Sequence, residues 1–169
     1  SILDACANLS NLVEGQKVLL IIIEFGYEKN LPVCNALVDM FGKCNSLPEA
    51  RNLFSKMDRA NVVTWSALMG SYARNGSFKE VLYLFYQMQG YGVKPDRVTF
   101  LSVLDACRNL GTLEVGQVIH SSIIENGCNN ELILGNSLIN FYGKCGNILH
   151  AKCVFCNLST TNVVSWSTI

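Results

Sequence analysis

Five short turn signatures recur along this chain at a nearly constant spacing. Each pairs a residue suited to the end of one helix with a residue suited to cap the start of the next. The capping residues follow one another at intervals of 35, 31, 35 and 35 residues. The signatures are Ser10-Asn11, Asn45-Ser46, Gly76-Ser77, Gly111-Thr112 and Gly146-Asn147. A period in this range predicts a solenoid of stacked helical units, each burying its apolar face against its neighbours.

A longer repeat supports this prediction. A shift of 101 residues aligns residues 1–68 with residues 102–169 without a gap. The segments that coincide include Leu3-Asp4-Ala5-Cys6 with Leu104-Asp105-Ala106-Cys107, Gly42-Lys43-Cys44 with Gly143-Lys144-Cys145, and Asn61-Val62-Val63 with Asn162-Val163-Val164. The longer period is therefore a triplet of unequal units. Because the chain begins and ends inside the pattern, we expect a segment of a longer array.

Each unit is predicted to be a helical hairpin. Apolar residues at i, i+3, i+4 and i+7 after each cap mark one helix, and a similar stripe before each cap marks another. Ser46-x-x-Glu49 and Ser77-x-x-Glu80 also have the pattern of a reciprocal capping box. The stripes after the caps include Ala50, Leu53, Phe54 and Met57, then Val81, Leu84, Phe85 and Met88; those before the caps include Cys34, Leu37, Val38 and Phe41, then Phe100, Val103, Leu104 and Cys107. The fold class is therefore all-α, with stacked hairpins whose first helices line a concave groove.

Composition narrows the possible functions. Half of the residues are hydrophobic and 13 basic residues balance 13 acidic ones. Zero net charge disfavours a protein that holds nucleic acid mainly by neutralising phosphates, but it leaves stacking and hydrogen bonding to bases open. The longest apolar run covers residues 18–23, far short of the roughly 18 residues that a membrane-spanning helix needs. We therefore expect no membrane partner.

The cysteines and histidines predict neither a metal site nor an active site. Of the eight cysteines, Cys6 and Cys44 recur at the equivalent positions 107 and 145, as small apolar packing residues would. Cys153-Val154-Phe155-Cys156 is a single C-x-x-C without the further ligands that zinc requires. His120 lies on an apolar stripe and is interpreted as a hydrogen-bonded core histidine, and His150 as a solvated one. We expect reduced, packing cysteines, no cofactor, no small-molecule substrate and no enzymatic activity.

The segment Val62-Val63-Thr64-Trp65-Ser66-Ala67-Leu68-Met69, with Gly92-Val93-Lys94-Pro95-Asp96, resembles a pentatricopeptide repeat. The triplet of lengths resembles the plant PLS subfamily, in which P, L and S repeats alternate. The resemblance implies a partial L repeat at residues 1–30, an S repeat at 31–61, a P repeat at 62–96, an L repeat at 97–131, an S repeat at 132–162 and the start of a P repeat at 163–169. It also implies an α-solenoid coiled as a right-handed superhelix.

The family resemblance further implies sequence-specific binding of single-stranded RNA in chloroplasts or mitochondria, during editing, processing, splicing or stabilisation of transcripts. Editing or processing cofactor proteins would be additional partners. One base is read per repeat, by the fifth and last residues, while the second residue wedges between bases. The implied reading residues are Asn35 and Asn61, Ser66 and Asp96, Leu101 and Glu131, and Asn136 and Asn162. The implied wedging residues are Pro32, Val63, Val98 and Ile133.

These pairs imply a base order. Asn with Asn favours a pyrimidine and Ser with Asp favours guanine in this family, whereas Leu101 cannot hydrogen-bond through its side chain. The expected RNA is pyrimidine, guanine, any base, pyrimidine, from 5′ to 3′. The alternative function is a protein-binding scaffold of tetratricopeptide type, whose units share the hairpin architecture but carry a different pattern of Trp, Leu, Gly and Tyr. A parent protein with a C-terminal deaminase-like domain is a further hypothesis, although this segment has no such zinc motif.

Overall fold

The structure is a computed structural model that describes residues 1–57, 59–158 and 161–168. Its regular structure in these ranges is entirely helical. The helices are α1 (Ile2–Asn8), α2 (Leu12–Glu24), α3 (Leu31–Lys43), α4 (Leu47–Ser55), α5 (Val62–Arg74), α6 (Phe78–Gly90), α7 (Arg97–Leu110), α8 (Leu113–Glu125), α9 (Leu132–Lys144), α10 (Ile148–Asn157) and α11 (Val163–Thr168). The predicted all-α fold of helical hairpins is confirmed.

The five turn signatures have the backbone geometry that their residues predict. The first residue of each signature has a positive φ, from 50° at Ser10 and 57° at Asn45 to 74° at Gly146. The residue that follows is the N-cap of α2, α4, α8 and α10, and α6 begins directly after Ser77. These left-handed residues end the first helix of each hairpin and allow the second to start within two residues.

The reciprocal capping box predicted at Ser46 is wrong. The Ser46 hydroxyl donates a hydrogen bond of 2.7 Å to the Glu49 carboxylate and accepts none from the first turn of α4. This bond stabilises the charged carboxylate and lowers the pKa of Glu49. True capping boxes occur instead at the first helices, at Ser1 with Asp4 and at Asn61 with Thr64.

The chain divides into two compact units. The first, Ser1–Ser77, contains α1 to α5, and its central helix α3 packs against the other four. The second begins at Phe78; in it α7 packs against α6, α8 and α9, and α9 packs against α8, α10 and α11. The predicted apolar stripes supply both cores, which include Leu37, Val38, Leu68 and Met69 in the first unit and Val81, Phe85, Phe100, Val103 and Ile139 in the second.

Gly15 and Gly116, which are related by the 101-residue shift, each allow a close contact between two helices. A Cβ added to Gly15 in α2 would lie 2.4 Å from Met40 Sδ in α3. A Cβ added to Gly116 in α8 would lie 1.9 Å from Phe141 Cζ in α9. Only glycine therefore lets these helix pairs approach so closely, and each compact unit contains such a glycine contact.

All eight cysteines lie in the described part of the chain and are unpaired. Cys6, Cys34 and Cys107 are buried, which confirms their predicted packing role. The packing prediction is wrong for Cys153 and Cys156, which are exposed because the buried face of α10 is formed by Ala151 and Val154.

Candidate nucleic-acid interface

The predicted wedging and reading residues lie in the first turns of the first helices. The helices α3, α5, α7, α9 and α11 begin at the first residues of the sequence-predicted repeats. The second and fifth residues of a repeat are therefore three positions apart on one helix, which makes them neighbours on its surface. The second residue is apolar yet exposed in each complete repeat: Val63 is 50% exposed, Val98 48%, Ile133 52%, and Pro32 is exposed as well.

The predicted reading pair Asn35 and Asn61 is brought together by a third residue, Thr64. The Thr64 hydroxyl lies 2.6 Å from Asn35 Oδ1 and 3.0 Å from Asn61 Oδ1. Asn61 also caps α5, because its Oδ1 accepts a 3.0 Å hydrogen bond from the Thr64 backbone N–H. Thr64 is fully buried, Asn35 is half-buried and Asn61 is exposed. The two amides thus lie at the surface above a buried hydroxyl.

The same arrangement recurs in the second compact unit. The Ser165 hydroxyl lies 2.7 Å from Asn136 Oδ1 and 3.1 Å from Asn162 Oδ1. Asn162 Oδ1 accepts a 3.0 Å hydrogen bond from the Ser165 backbone N–H. Ser165 is also fully buried. Sequence reasoning missed both hydroxyls, although a signal exists: each S repeat is followed by Thr or Ser at the third residue of the next repeat.

Ser66 and Asp96, the predicted reading pair of the P repeat, belong to different compact units. Ser66 is only 5% exposed, and its hydroxyl donates to the carbonyl oxygens of Val62 at 2.8 Å and Val63 at 3.2 Å in its own helix. Asp96 caps α7: its Oδ1 accepts hydrogen bonds of 2.8 Å from both the backbone N–H and the hydroxyl of Thr99. Asp96 Oδ2 is left to accept from another donor.

Leu101 and Glu131, the predicted pair of the L repeat, have no such arrangement. Leu101 is half-buried and lines a cavity of about 170 Å³ between α7 and α9. Glu131 precedes α9 without a side-chain capping bond, and its carboxylate lies 3.7 Å from the guanidinium of Arg97. The third residue of the next repeat is the buried Leu134, which has no hydroxyl.

Basic residues occupy the last turns of the first helices in the complete repeats. The last turn of α3, α5, α7 and α9 carries one basic residue each, namely Lys43, Arg74, Arg108 and Lys144. No basic residue occupies the last turn of α2, α4, α8 or α10. In the first compact unit Asp39 holds Lys43 at 2.7 Å and Arg74 at 3.4 Å. These basic side chains are therefore regularly placed along the chain, although its net charge is zero.

The two histidines lie beside a second cavity, of about 460 Å³, formed by α8, α9 and α10. His120 is half-buried and its Nδ1 lies 2.9 Å from the Tyr142 hydroxyl, as expected for a hydrogen-bonded histidine of the core. Burial lowers the pKa of His120, and the neighbouring His150 lowers it further. His150 is exposed, as predicted, and stacks on the Tyr142 ring.

In the described ranges, no group of three or more His, Cys, Asp or Glu side chains is placed to hold a metal ion. None of the described helices has both the length and the apolar character needed to cross a membrane.

Comparison with protein families decides what kind of repeat this is. The model described as PPR repeat family matches residues 60–109, and the model described as PPR repeat matches residues 33–62 and 136–159. Together these matches span more than half of the chain.

The chain belongs to the pentatricopeptide repeat family.

Curated relatives from Arabidopsis thaliana align with almost all of this pentatricopeptide repeat chain. The pentatricopeptide repeat-containing protein At1g15510, chloroplastic, is 34% identical over 99% of the chain. The protein At1g08070, chloroplastic, is 37% identical and At1g03540 is 36% identical, each also over 99% of the chain. The chain spans 19%, 23% and 27% of the lengths of these three relatives, respectively.

Solved structures support the fold. The PPR domain of Arabidopsis thaliana protein-only RNase P 1, crystallised with tRNA, superposes with a TM-score of 0.72 at 12% identity, covering 98% of this chain and 91% of that one. The PPR10 protein in complex with an 18-nucleotide psaJ RNA element gives a TM-score of 0.53 at 18% identity, covering 91% and 28%. At these identities the likeness shows the shared helical-repeat fold.

Proposed function

We propose that this chain binds single-stranded RNA sequence-specifically, with about one base per repeat. One observation carries the proposal: in each complete repeat an exposed apolar side chain lies one helical turn from the predicted reading residue. Each such side chain remains exposed, so it can insert beside a base and bury its surface there. Family membership and the RNA complexes of two structural neighbours support the same function.

The reading residues and the family resemblance together give the proposed base order. An amide presents both donors and acceptors, so the pairs Asn35 with Asn61 and Asn136 with Asn162 can form hydrogen bonds to base edges, and the resemblance implies that they prefer pyrimidines. A carboxylate only accepts, so Asp96 Oδ2 prefers guanine, whose Watson–Crick edge carries donors. Leu101 offers neither, so its repeat accepts any base. The order is pyrimidine, guanine, any base, pyrimidine.

The basic residues at the ends of the first helices would contact phosphates. A few such contacts suit a neutral protein, because affinity then depends only moderately on salt, with a slope of about −0.7 per phosphate for single strands. Asp39 moderates this charge by pairing with Lys43 and Arg74. Recognition would therefore depend mainly on stacking and hydrogen bonding.

We place this activity in a chloroplast or mitochondrion, in the editing, processing, splicing or stabilisation of transcripts. Two of the relatives carry the word chloroplastic in their names, which supports an organelle. The chain would supply RNA recognition within a PLS-type array, while accompanying editing or processing proteins supply other activities. It has no enzymatic role in this proposal.

The experiment that tests RNA recognition is selection from a randomised single-stranded RNA pool by the full-length protein at physiological salt. A DNA pool and a peptide library run in parallel. The variant Asn35→Leu gives the first S repeat the reading residue of the L repeat, so it should lose the pyrimidine preference at one nucleotide only. Asn52→Leu, at an exposed Asn of the second helix α4, is the matched control and should leave the selected motif unchanged. Peptide enrichment without RNA enrichment would instead support the tetratricopeptide-type scaffold function.

A further inference from the structure

We propose that Thr64 and Ser165 are positioning residues, each of which orients the Asn pair of the preceding S repeat toward its base. This inference rests on the proposed RNA-binding function. It makes the S-repeat reader a set of three residues, two at the surface and one buried hydroxyl from the next repeat. The hydroxyl touches no base; it acts by fixing which atoms the amides present.

The hydroxyl has one proton, and the distances indicate where that proton goes. Thr64 Oγ1 is 2.6 Å from Asn35 Oδ1 but 3.0 Å from Asn61 Oδ1. A separation of 2.6 Å falls in the range of O–H···O bonds and below the usual 2.7–3.2 Å of N–H···O bonds. The hydroxyl therefore donates to Asn35 Oδ1, the nearer of its two amide oxygens.

This bond determines what Asn35 offers to a base. Because the buried hydroxyl occupies Oδ1, the Nδ2 donors of the half-buried amide are the groups that this arrangement leaves for a base. Asn61 is oriented in a similar way, because its Oδ1 accepts the Thr64 backbone N–H at 3.0 Å. Its own backbone N–H donates to the Thr64 hydroxyl at 3.3 Å, which completes the hydrogen bonding of that oxygen. The pair thus presents donors, which the O2 carbonyl oxygen of a pyrimidine can accept.

The second S repeat is an independent instance of the same geometry. Ser165 Oγ is 2.7 Å from Asn136 Oδ1 and 3.3 Å from the backbone nitrogen of Asn162. A serine here and a threonine in the first repeat show that the hydroxyl is the common element. Where the fifth residue is Leu101, the corresponding third residue is Leu134, which has no hydroxyl. In the P repeat, whose fifth residue is Ser66, the corresponding hydroxyl of Thr99 instead donates to Asp96 Oδ1 at 2.8 Å.

The test compares Thr64→Val with Thr64→Ser in the full-length protein, using selection from the same RNA pool. Valine removes the hydroxyl and keeps the shape, and serine restores the hydroxyl. Because one intramolecular hydrogen bond contributes about 0.5–1.5 kcal/mol, Thr64→Val should reduce the base preference at the nucleotide opposite residues 31–61 by roughly 2- to 12-fold. Thr64→Ser should retain it. Ser71→Ala, which removes a buried hydroxyl bonded to Ala67 O and Arg74 in α5, should leave the preference unchanged.

Ser165→Ala keeps the inference testable even if Thr64→Val does not fold. It should weaken the base preference at the nucleotide opposite residues 132–162, which lies three nucleotides toward the 3′ end. The preference at the nucleotide opposite residues 31–61 should stay unchanged. A wild-type motif that both hydroxyl-removing variants leave intact would overturn the positioning role while RNA recognition stands. Equal weakening toward all sequences, together with a lower melting temperature, would assign these hydroxyls to folding alone. Absence of any RNA motif with wild type would instead overturn the proposed function, and this inference with it.

Discussion

Gly116→Ala should destabilise the second compact unit, although alanine is the better helix former. The added Cβ would lie 1.9 Å from Phe141 Cζ and 2.5 and 2.6 Å from Cε1 and Cε2, against an ordinary contact of 3.4–4 Å. Phe141 is fully buried, so its ring has no room to retreat. Overpacking of this kind costs about 1–3 kcal/mol, and three obstructed ring atoms favour the upper end of that range.

Helix propensity offsets part of this cost, because Gly to Ala gains about 1 kcal/mol in a helix interior. The expected net loss is about 2 kcal/mol, which lowers the melting temperature by roughly 4–8 °C for a chain of this size. Thermal unfolding followed by circular dichroism measures it.

Gly143→Ala provides a matched control in the same compact unit. A Cβ at Gly143 meets nothing within 4 Å, and this residue is exposed in α9, so this variant should gain up to about 1 kcal/mol. Phe141→Leu should partly rescue Gly116→Ala, because the two side chains are in contact and their effects are coupled. Equal melting shifts of the same sign for Gly116→Ala and Gly143→Ala would refute the close-approach argument.

Three further predictions concern charge, pH and thiols. Asp96→Asn should leave stability nearly unchanged, since Asn is an equally good N-cap, but should abolish guanine enrichment in RNA selection; retained guanine would contradict the reading role. Burial lowers the pKa of His120, so the unfolded chain takes up this proton first, near its usual pKa of about 6.5. The contribution of His120 to stability should therefore be fully present above that pH and fall as pH decreases below it. Urea unfolding at about pH 7.5 and 5.5 measures the loss, and the difference in unfolding free energy between the two pH values should be smaller for His120→Gln than for wild type. Native alkylation should modify the exposed Cys153 and Cys156 but spare Cys107, whose pKa burial raises to about 11; rapid labelling of Cys107 would contradict its burial.

The periodic features of the fold could be predicted from the sequence because each depends on local backbone chemistry. A left-handed residue followed by a capping residue ends one helix and starts another whatever surrounds it, as at Gly146 and Asn147. The apolar stripes likewise predicted much of the core, since burial of one helix face follows from its spacing; in α4, however, Ala50 is buried whereas Leu53 and Phe54 are half-buried.

Features that depend on side-chain geometry between repeats could not be predicted in this way. A serine before a helix with Glu three residues later reads as a capping box, yet Ser46 bonds to the Glu49 carboxylate instead. The C-x-x-C segment of α10 reads as apolar, but the orientation of that helix exposes both thiols. The buried hydroxyl of Thr64 reads as a helix-capping residue, and only the structure shows its contact with Asn35, which is 29 residues away.

The central claim is that four successive repeats read pyrimidine, guanine, any base and pyrimidine. Its most direct test is the equilibrium binding of the full-length protein to a matched RNA oligonucleotide and to variants with one base replaced at each of these positions. We expect replacements at the first, second and fourth positions to weaken binding by about 1–3 kcal/mol each, because each leaves a polar group unpaired, and replacements opposite Leu101 to have little effect. Equal affinity for all variants, or equal sensitivity at all four positions, would contradict modular reading by these residues.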